Sequence, residues 1–129
     1  MADLTKYKAY NDAMQLSNAV IKTYRHFPND LRHTIGKSLV FISLDLIDCV
    51  AEGLDGYDKE RKQRNILEAI KLTRKIESRM LLAADNQCLD NEHAGWYIEH
   101  IPNLRRQLEG FSNSLARQRD TDTSVSENL

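Results

Sequence analysis

The sequence predicts a small all-α protein, an antiparallel up-and-down four-helix bundle formed by residues 1–117. The 129 residues include only five glycines and two prolines, which leaves long uninterrupted segments. Four of these segments carry apolar residues at spacings of three and four, the period of a helix packed in a bundle seam. With 41% hydrophobic and 29% charged residues, the composition is typical of one soluble domain.

The first helix is predicted over residues 4–27. Pro28 ends it, because the residue before a proline disfavours helical geometry. Asn29 or Asp30 can then cap the next helix through a side-chain oxygen. The predicted inner stripe consists of Tyr7, Tyr10, Met14, Ser17, Ile21 and Tyr24, and is broadened by Ala13 and Val20.

The second helix is predicted over residues 31–54, where Gly53 and Gly56 suit a left-handed C-terminal cap. Its predicted core stripe is Leu31, Ile35, Leu39, Ile42, Leu46 and Cys49 or Val50. Four other apolar residues, Val40, Phe41, Leu44 and Ile47, lie off that stripe. Because a bundle interior takes one face of each helix, these four predict an interface with another copy of the chain.

The third and fourth helices are predicted over residues 57–84 and 90–117. The inner face of the third is predicted at Ile66, Ile70, Thr73, Ile76 or Glu77, Met80 and Ala83 or Ala84. The fourth has the most regular heptad: Ala94, Tyr97, Ile101, Leu104, Leu108, Phe111 and Leu115. Pro102 is expected to kink it. Residues 118–129 are polar and aperiodic, which predicts a disordered tail.

The motifs of several function classes are missing from the sequence. It has no apolar run of membrane-spanning length and no signal-peptide core, so we expect a cytoplasmic protein without membrane contact. It also lacks a Glu-x-x-His pair, a phosphate-binding glycine loop and a nucleophile motif. We therefore expect no catalytic residues, no metal and no cofactor, with Cys49 and Cys88 as reduced thiols.

One segment of the third helix is basic although the chain as a whole is not. Between positions 57 and 79, eight basic and four acidic residues give a net charge of +4, in a chain of net charge −1. Two interpretations stay open: a solvated helix with internal ion pairs, or a surface that meets phosphates. The candidate nucleic-acid- or partner-binding residues are Arg61, Lys62, Arg64, Lys71, Arg74 and Lys75, with Arg105 and Arg106 from the fourth helix.

Several segments resemble one known family in the same order. Residues 27–37 (FPNDLRHTIGK) are similar to the helix 1–2 junction of accessory variability determinant (Avd) proteins, which accompany the reverse transcriptases of diversity-generating retroelements. Residues 44–47, 66–70, 79–82 and 104–111 continue the resemblance, which covers roughly residues 5–117. It implies a non-catalytic subunit that assembles as a homopentameric barrel. Such a subunit would bind the reverse transcriptase and template RNA during mutagenic cDNA synthesis.

A second family is a close alternative. Residues 50–53 resemble a turn in the four-helix proteins encoded by intervening sequences of bacterial 23S rRNA genes. The Gly-Ser-Leu-x-Glu pattern usual in the third helix of those proteins is missing here, which favours the Avd group. The alternative would imply a stand-alone oligomer with no polymerase partner.

Overall fold

The structure, a computed structural model, describes residues 3–127, with side chains described for residues 3–118. Four long helices account for most of that range: α1 (Lys8–Tyr24), α2 (Lys37–Asp55), α3 (Lys59–Asp85) and α4 (Asn91–Glu127). No strand occurs between residues 3 and 127. The prediction of an all-α chain with four helices is confirmed.

The helices form a ring of neighbours in which α1 and α3 each pack against both α2 and α4. Contacts at two levels show that α1 and α4 are antiparallel, because Thr23 meets Tyr97 (2.7 Å) whereas Asp12, earlier in α1, meets Gln107, later in α4 (2.7 Å). Ser17 meets Ser43 across α1 and α2, with their hydroxyl oxygens 3.1 Å apart. The largest fully buried side chains line the centre: Leu16, Leu39, Leu46, Ile66, Ile76, Ile101, Leu104 and Leu108.

The predicted bounds of α1 were wrong, and its predicted inner stripe was only partly right. A short 3₁₀ turn, Leu4–Lys6, precedes the helix, because the Asp3 side chain caps that turn by accepting from the Thr5 amide. The buried residues are Ala13, Leu16, Ser17 and Val20, whereas Tyr7 and Met14 are more than a third exposed. The helix carries two adjacent apolar stripes about one residue apart, and the stripe with the smaller side chains allows closer packing.

The start of α2 is preceded by irregular helical geometry. After Pro28 come a single turn, Asn29–Leu31, and a π-helical segment, Arg32–Gly36, before α2 itself begins. At Gly36 a β-carbon would lie 3.0 Å from the rings of both Tyr24 and Phe27. The missing side chain therefore lets this segment pack closely against the aromatic end of α1.

The two glycines near the end of α2 do not act as left-handed caps. Gly53 is buried inside the helix, where a β-carbon would lie 2.3 Å from Cδ1 of Ile66, so it allows α2 and α3 to approach closely. Gly56 ends the helix with extended backbone (φ −75°). The positive φ that we expected at a glycine occurs instead at Gln87, after α3.

The inner faces of α3 and α4 follow the prediction closely. In α3, Ile66, Ile70, Thr73, Ile76 and Met80 are buried. In α4, Tyr97, Ile101, Leu104, Leu108 and Leu115 are buried, and Pro102 lies inside the helix. In α2, Leu39, Leu46 and Val50 are buried, whereas Ile42 and Cys49 are only partly buried.

The backbone of α4 continues ten residues beyond the predicted end at position 117 and reaches Glu127. Residues 111–129 contain neither glycine nor proline, so no strong breaker ends the helix earlier. The side chains of residues 119–129 lie outside the described part of the chain. The disordered polar tail at 118–129 therefore stays a prediction.

Candidate functional site

Four of the eight candidate binding residues form an exposed basic surface along α3. This surface, which we call the α3 basic face, consists of Arg61, Arg64, Lys71 and Lys75. It begins in the first turns of the helix, where Asp58 acts as N-cap by accepting from the Glu60 amide at 3.0 Å. Residues 58–64 contain no apolar side chain, so this end of the helix has nothing to bury.

The cations of the α3 basic face are largely uncommitted, which means that most have no ion-pair or hydrogen-bond partner among the described residues. Among the described residues, the side chains of Arg61, Arg64 and Lys75 have neither an ion-pair nor a hydrogen-bond partner. Lys71 lies 4.0 Å from Glu68, but both side chains are about half exposed or more. Surface pairs of this kind contribute roughly 0–1 kcal/mol, so Lys71 remains available to a ligand.

Two other candidates on α3 are directed toward α4. The Lys62 ammonium lies 5.8 Å from the centre of the Phe111 ring, a cation–π distance. Arg74 lies 3.7 Å from a carboxylate oxygen of Glu109. Both cations therefore sit at the border between α3 and α4, beside the α3 basic face.

The structure places Arg105 within the α3–α4 seam. Its guanidinium donates to both carboxylate oxygens of Glu77, with nitrogen–oxygen distances of 3.0–3.1 Å. Only 14% of the Arg105 side chain is exposed. This bidentate pair joins the two helices. The Arg105 charge, which we expected to contact a nucleic-acid or protein partner, is therefore already paired within the chain. Arg106, the next residue, is exposed and donates to the Asn103 side chain.

The four residues predicted at a subunit interface remain accessible in the single chain. Phe41 is 56% exposed and Leu44 is 43% exposed, while Val40 and Ile47 are partly buried. The Ser17–Ser43 contact sets an antiparallel register that brings the exposed Met14 of α1 level with Ile47. We call these five residues the α1–α2 apolar face.

A second apolar surface lies on the other side of the bundle. Leu81 and Leu82 of α3 are each 49% exposed, and Ile98 of α4 is 56% exposed. Leu81 and Ile98 line a small groove between the two helices. We call these three residues the α3–α4 apolar face. This face was not predicted from the sequence, because Leu81 and Leu82 fit the ordinary apolar content of a bundle helix.

A cleft between α1 and α4 was likewise not predicted from the sequence. It has a volume of about 1130 Å³ and lies where α1 ends and α4 begins. Its walls include Lys22 from α1, His26 from the turn after α1, and Trp96 from α4. The available signal was the single tryptophan of the chain, together with a lysine and a histidine four residues apart in sequence.

From the cleft toward the start of α1, hydrogen bonds between polar groups join α1 to α4. Nε2 of His100 donates to the Asp12 carbonyl at 2.9 Å, and Gln107 donates to the Asp12 carboxylate at 2.7 Å. Burial raises the pKa of Tyr97 to about 12, although its bond to Thr23 acts in the opposite direction. The phenol therefore stays protonated at neutral pH and keeps that bond.

Residues 3–118 contain no group of three or more His, Cys, Asp or Glu side chains placed to hold a metal ion. The described helices also include none that is long and apolar enough to cross a membrane. No protein-family model matches this chain, and no curated protein matches it. A functional proposal therefore rests on the chain's own residues and on the order of its family-like segments.

Replacing Arg105 tests whether this residue is structural. Arg105→Ala leaves the partly buried Glu77 unpaired, and we expect it to lower the free energy of unfolding by about 1–3 kcal/mol. Arg106→Ala is the matched control and should stay within about 0.5 kcal/mol of the original chain. Arg105→Lys keeps the charge but not the bidentate geometry, so it should fall between the two. Urea unfolding at one protein concentration measures all three, and equal midpoints would show that the pair contributes nothing.

Proposed function

We propose that this chain is a non-catalytic accessory subunit of a diversity-generating retroelement. In this proposal a homo-oligomer, a pentamer by the Avd resemblance, binds the reverse transcriptase and its template RNA during mutagenic cDNA synthesis. The observation that carries the proposal is the α3 basic face, whose uncommitted cations lie in a segment of net charge +4. The order of the Avd-like segments supports the identity of the partner.

The chemistry of the α3 basic face suits a phosphate backbone. Arg64, Lys71 and Lys75 lie on one side of the helix, since they are seven and four residues apart. From Arg64 to Lys75 the helix rises roughly 16 Å, so the cations form a line. Arginine and lysine side chains of this kind supply the salt-dependent, sequence-independent part of nucleic-acid binding.

Assembly would strengthen this surface. One copy has a net charge of −1, which gives little long-range attraction for RNA. A ring repeats the same basic line in every subunit, and the summed potential of repeated patches is stronger than that of one. The reverse transcriptase would then meet an assembly with several equivalent basic lines.

The two apolar faces support a ring. Closed rings are built from heterologous contacts, in which two different surfaces of the same chain meet. The α1–α2 and α3–α4 apolar faces are two such surfaces on different sides of the bundle, and each exposes large apolar side chains that contact with another copy would bury.

A charge placed in the α1–α2 apolar face tests the assembly. Leu44→Glu buries a carboxylate at the proposed contact, and we expect the dissociation constant of the oligomer to rise at least about tenfold, or about 1.4 kcal/mol. Leu67→Glu is the matched control, because Leu67 is similarly exposed (48%) but lies outside both apolar faces. Light scattering across a dilution series measures assembly, and circular dichroism should show unchanged helicity. Equal assembly of the two variants would exclude this interface.

Removing two uncommitted cations tests the α3 basic face. The double variant Arg64→Ala/Lys75→Ala should reduce the salt-dependence slope for binding to the reverse transcriptase–template RNA complex by between about 1.4 and about 1.8. The physical reason is the loss of two phosphate contacts. If the α3 basic face contacts the reverse transcriptase rather than the RNA, the double variant should mainly slow association.

The control for that experiment removes the same charges elsewhere. Lys6→Ala/Arg25→Ala deletes one lysine and one arginine near the two ends of α1 and should leave the slope unchanged. If Arg64→Ala/Lys75→Ala also leaves the salt-dependence slope and the association rate unchanged, the α3 basic face is only a solvated helix surface. An oligomer that binds neither polymerase nor RNA would instead fit the stand-alone proteins of ribosomal intervening sequences.

A further inference from the structure

The cleft between α1 and α4 is large enough for a ligand. Its volume of about 1130 Å³ lies slightly above the range of roughly 300–1,000 Å³ usual for small-molecule sites. Small residues, Ala19 on α1 and Ala84 on α3, line part of it and leave room between the helices. Thr23 and Tyr97 also line it, and their hydrogen bond of 2.7 Å joins α1 to α4 there.

One wall of the cleft is an aromatic platform. The Trp96 ring stacks on the His100 ring, with 4.3 Å between centroids and an angle of 12° between planes. His100 is itself held by the bond from its Nε2 to the Asp12 carbonyl. Tyr97 meets the edge of Trp96 at 5.1 Å. Trp96 is nevertheless 39% exposed, so a rigidly held indole remains accessible from the cleft.

The opposite wall carries basic side chains. Lys22 lies in the last turns of α1, His26 lies in the turn that follows the helix, and both line the cleft and are exposed. Among the described residues, neither side chain has a hydrogen-bond or ion-pair partner. The carboxylate that lines the cleft, Asp90, is bound to His93, accepting from its amide at 2.8 Å and lying 2.7 Å from its ring nitrogen. The free charge in the cleft is therefore positive.

We propose that this cleft binds a nucleotide, with its base stacked on Trp96 and its phosphate held by Lys22 and His26. Stacking on an aromatic side chain suits any base, because every base has a π face. A lysine ammonium opposite the platform supplies the charge that a phosphate needs. Asn91 also lines the cleft, and its side-chain amide can bond the edge of the base.

This site is separate from the α3 basic face and goes beyond the proposed function. A free mononucleotide and a nucleotide within single-stranded RNA share the chemistry that the cleft would recognise. Neither source requires the reverse transcriptase, so the site can be tested on the isolated chain.

Trp96 is the only tryptophan of the chain, so its fluorescence reports directly on a base stacked against it. The probes are adenosine, adenosine monophosphate and a single-stranded oligoadenylate of about eight nucleotides. We expect saturable quenching by the monophosphate with higher affinity than by adenosine if the ligand is a free nucleotide. Quenching by the oligonucleotide but not by the monophosphate would assign the cleft to RNA. No saturable quenching by any of the three would overturn the proposal and leave the cleft to a protein partner.

Variants separate the two parts of the site. Lys22→Gln should lower the affinity for the monophosphate, or for the oligonucleotide, several-fold while leaving that for adenosine unchanged. Lys6→Gln removes the same charge at the other end of α1 and should change nothing. Trp96→Ala, followed by the anisotropy of a labelled oligonucleotide, should lose between about fivefold and about a hundredfold in affinity. Full affinity in both Lys22→Gln and Trp96→Ala would contradict the assignment.

A failure of the nucleotide site can be distinguished from a failure of the proposed accessory function. Arg64→Ala/Lys75→Ala leaves the cleft intact, so it should keep normal quenching by whichever nucleotide probe binds. If this variant and the original chain both fail to bind the polymerase but are still quenched, the nucleotide site stands without the accessory function.

Discussion

The structure depends on one constraint: the interior of a four-helix bundle can bury only one face of each helix. In α2 that inner face is filled by Leu39, Leu46 and Val50, which are almost fully buried. The apolar residues on its outer side, Phe41 and Leu44, therefore remain exposed however well the interior packs. Because exposed apolar patches on soluble chains usually mark interaction surfaces, the proposed assembly follows from this excess of apolar side chains on α2.

The same packing decides which cations are available. Arg105 lies where α3 and α4 meet, and Glu77 binds its guanidinium there. Arg74 lies beside Glu109 at the same border. The cations that stay uncommitted lie on the outer side of α3, diagonally across the bundle from α1. The cleft, with Lys22 and Trp96, opens between α1 and α4. One chain thus offers two separate surfaces suited to phosphate, one linear and one concave.

The sequence predicted the fold where one helix has one apolar stripe, as in α3 and α4. It was only partly right in α1, where two adjacent stripes are both apolar and only packing against the neighbours selects Leu16 rather than Met14. The tight fit of Gly53 could not be predicted, because it depends on Ile66 from another helix. The same holds for Arg105 and for the cleft, since both depend on distances between helices that are far apart in sequence.

The mass of the unmutated chain in solution is the most direct test of the central claim that the α1–α2 apolar face is covered by another copy. Native mass spectrometry at micromolar concentration should show a closed oligomer, with the pentamer at five times the 14.9 kDa mass of one chain. A single species at 14.9 kDa under those conditions would contradict the account, because the outer side of α2 would then be left open to water.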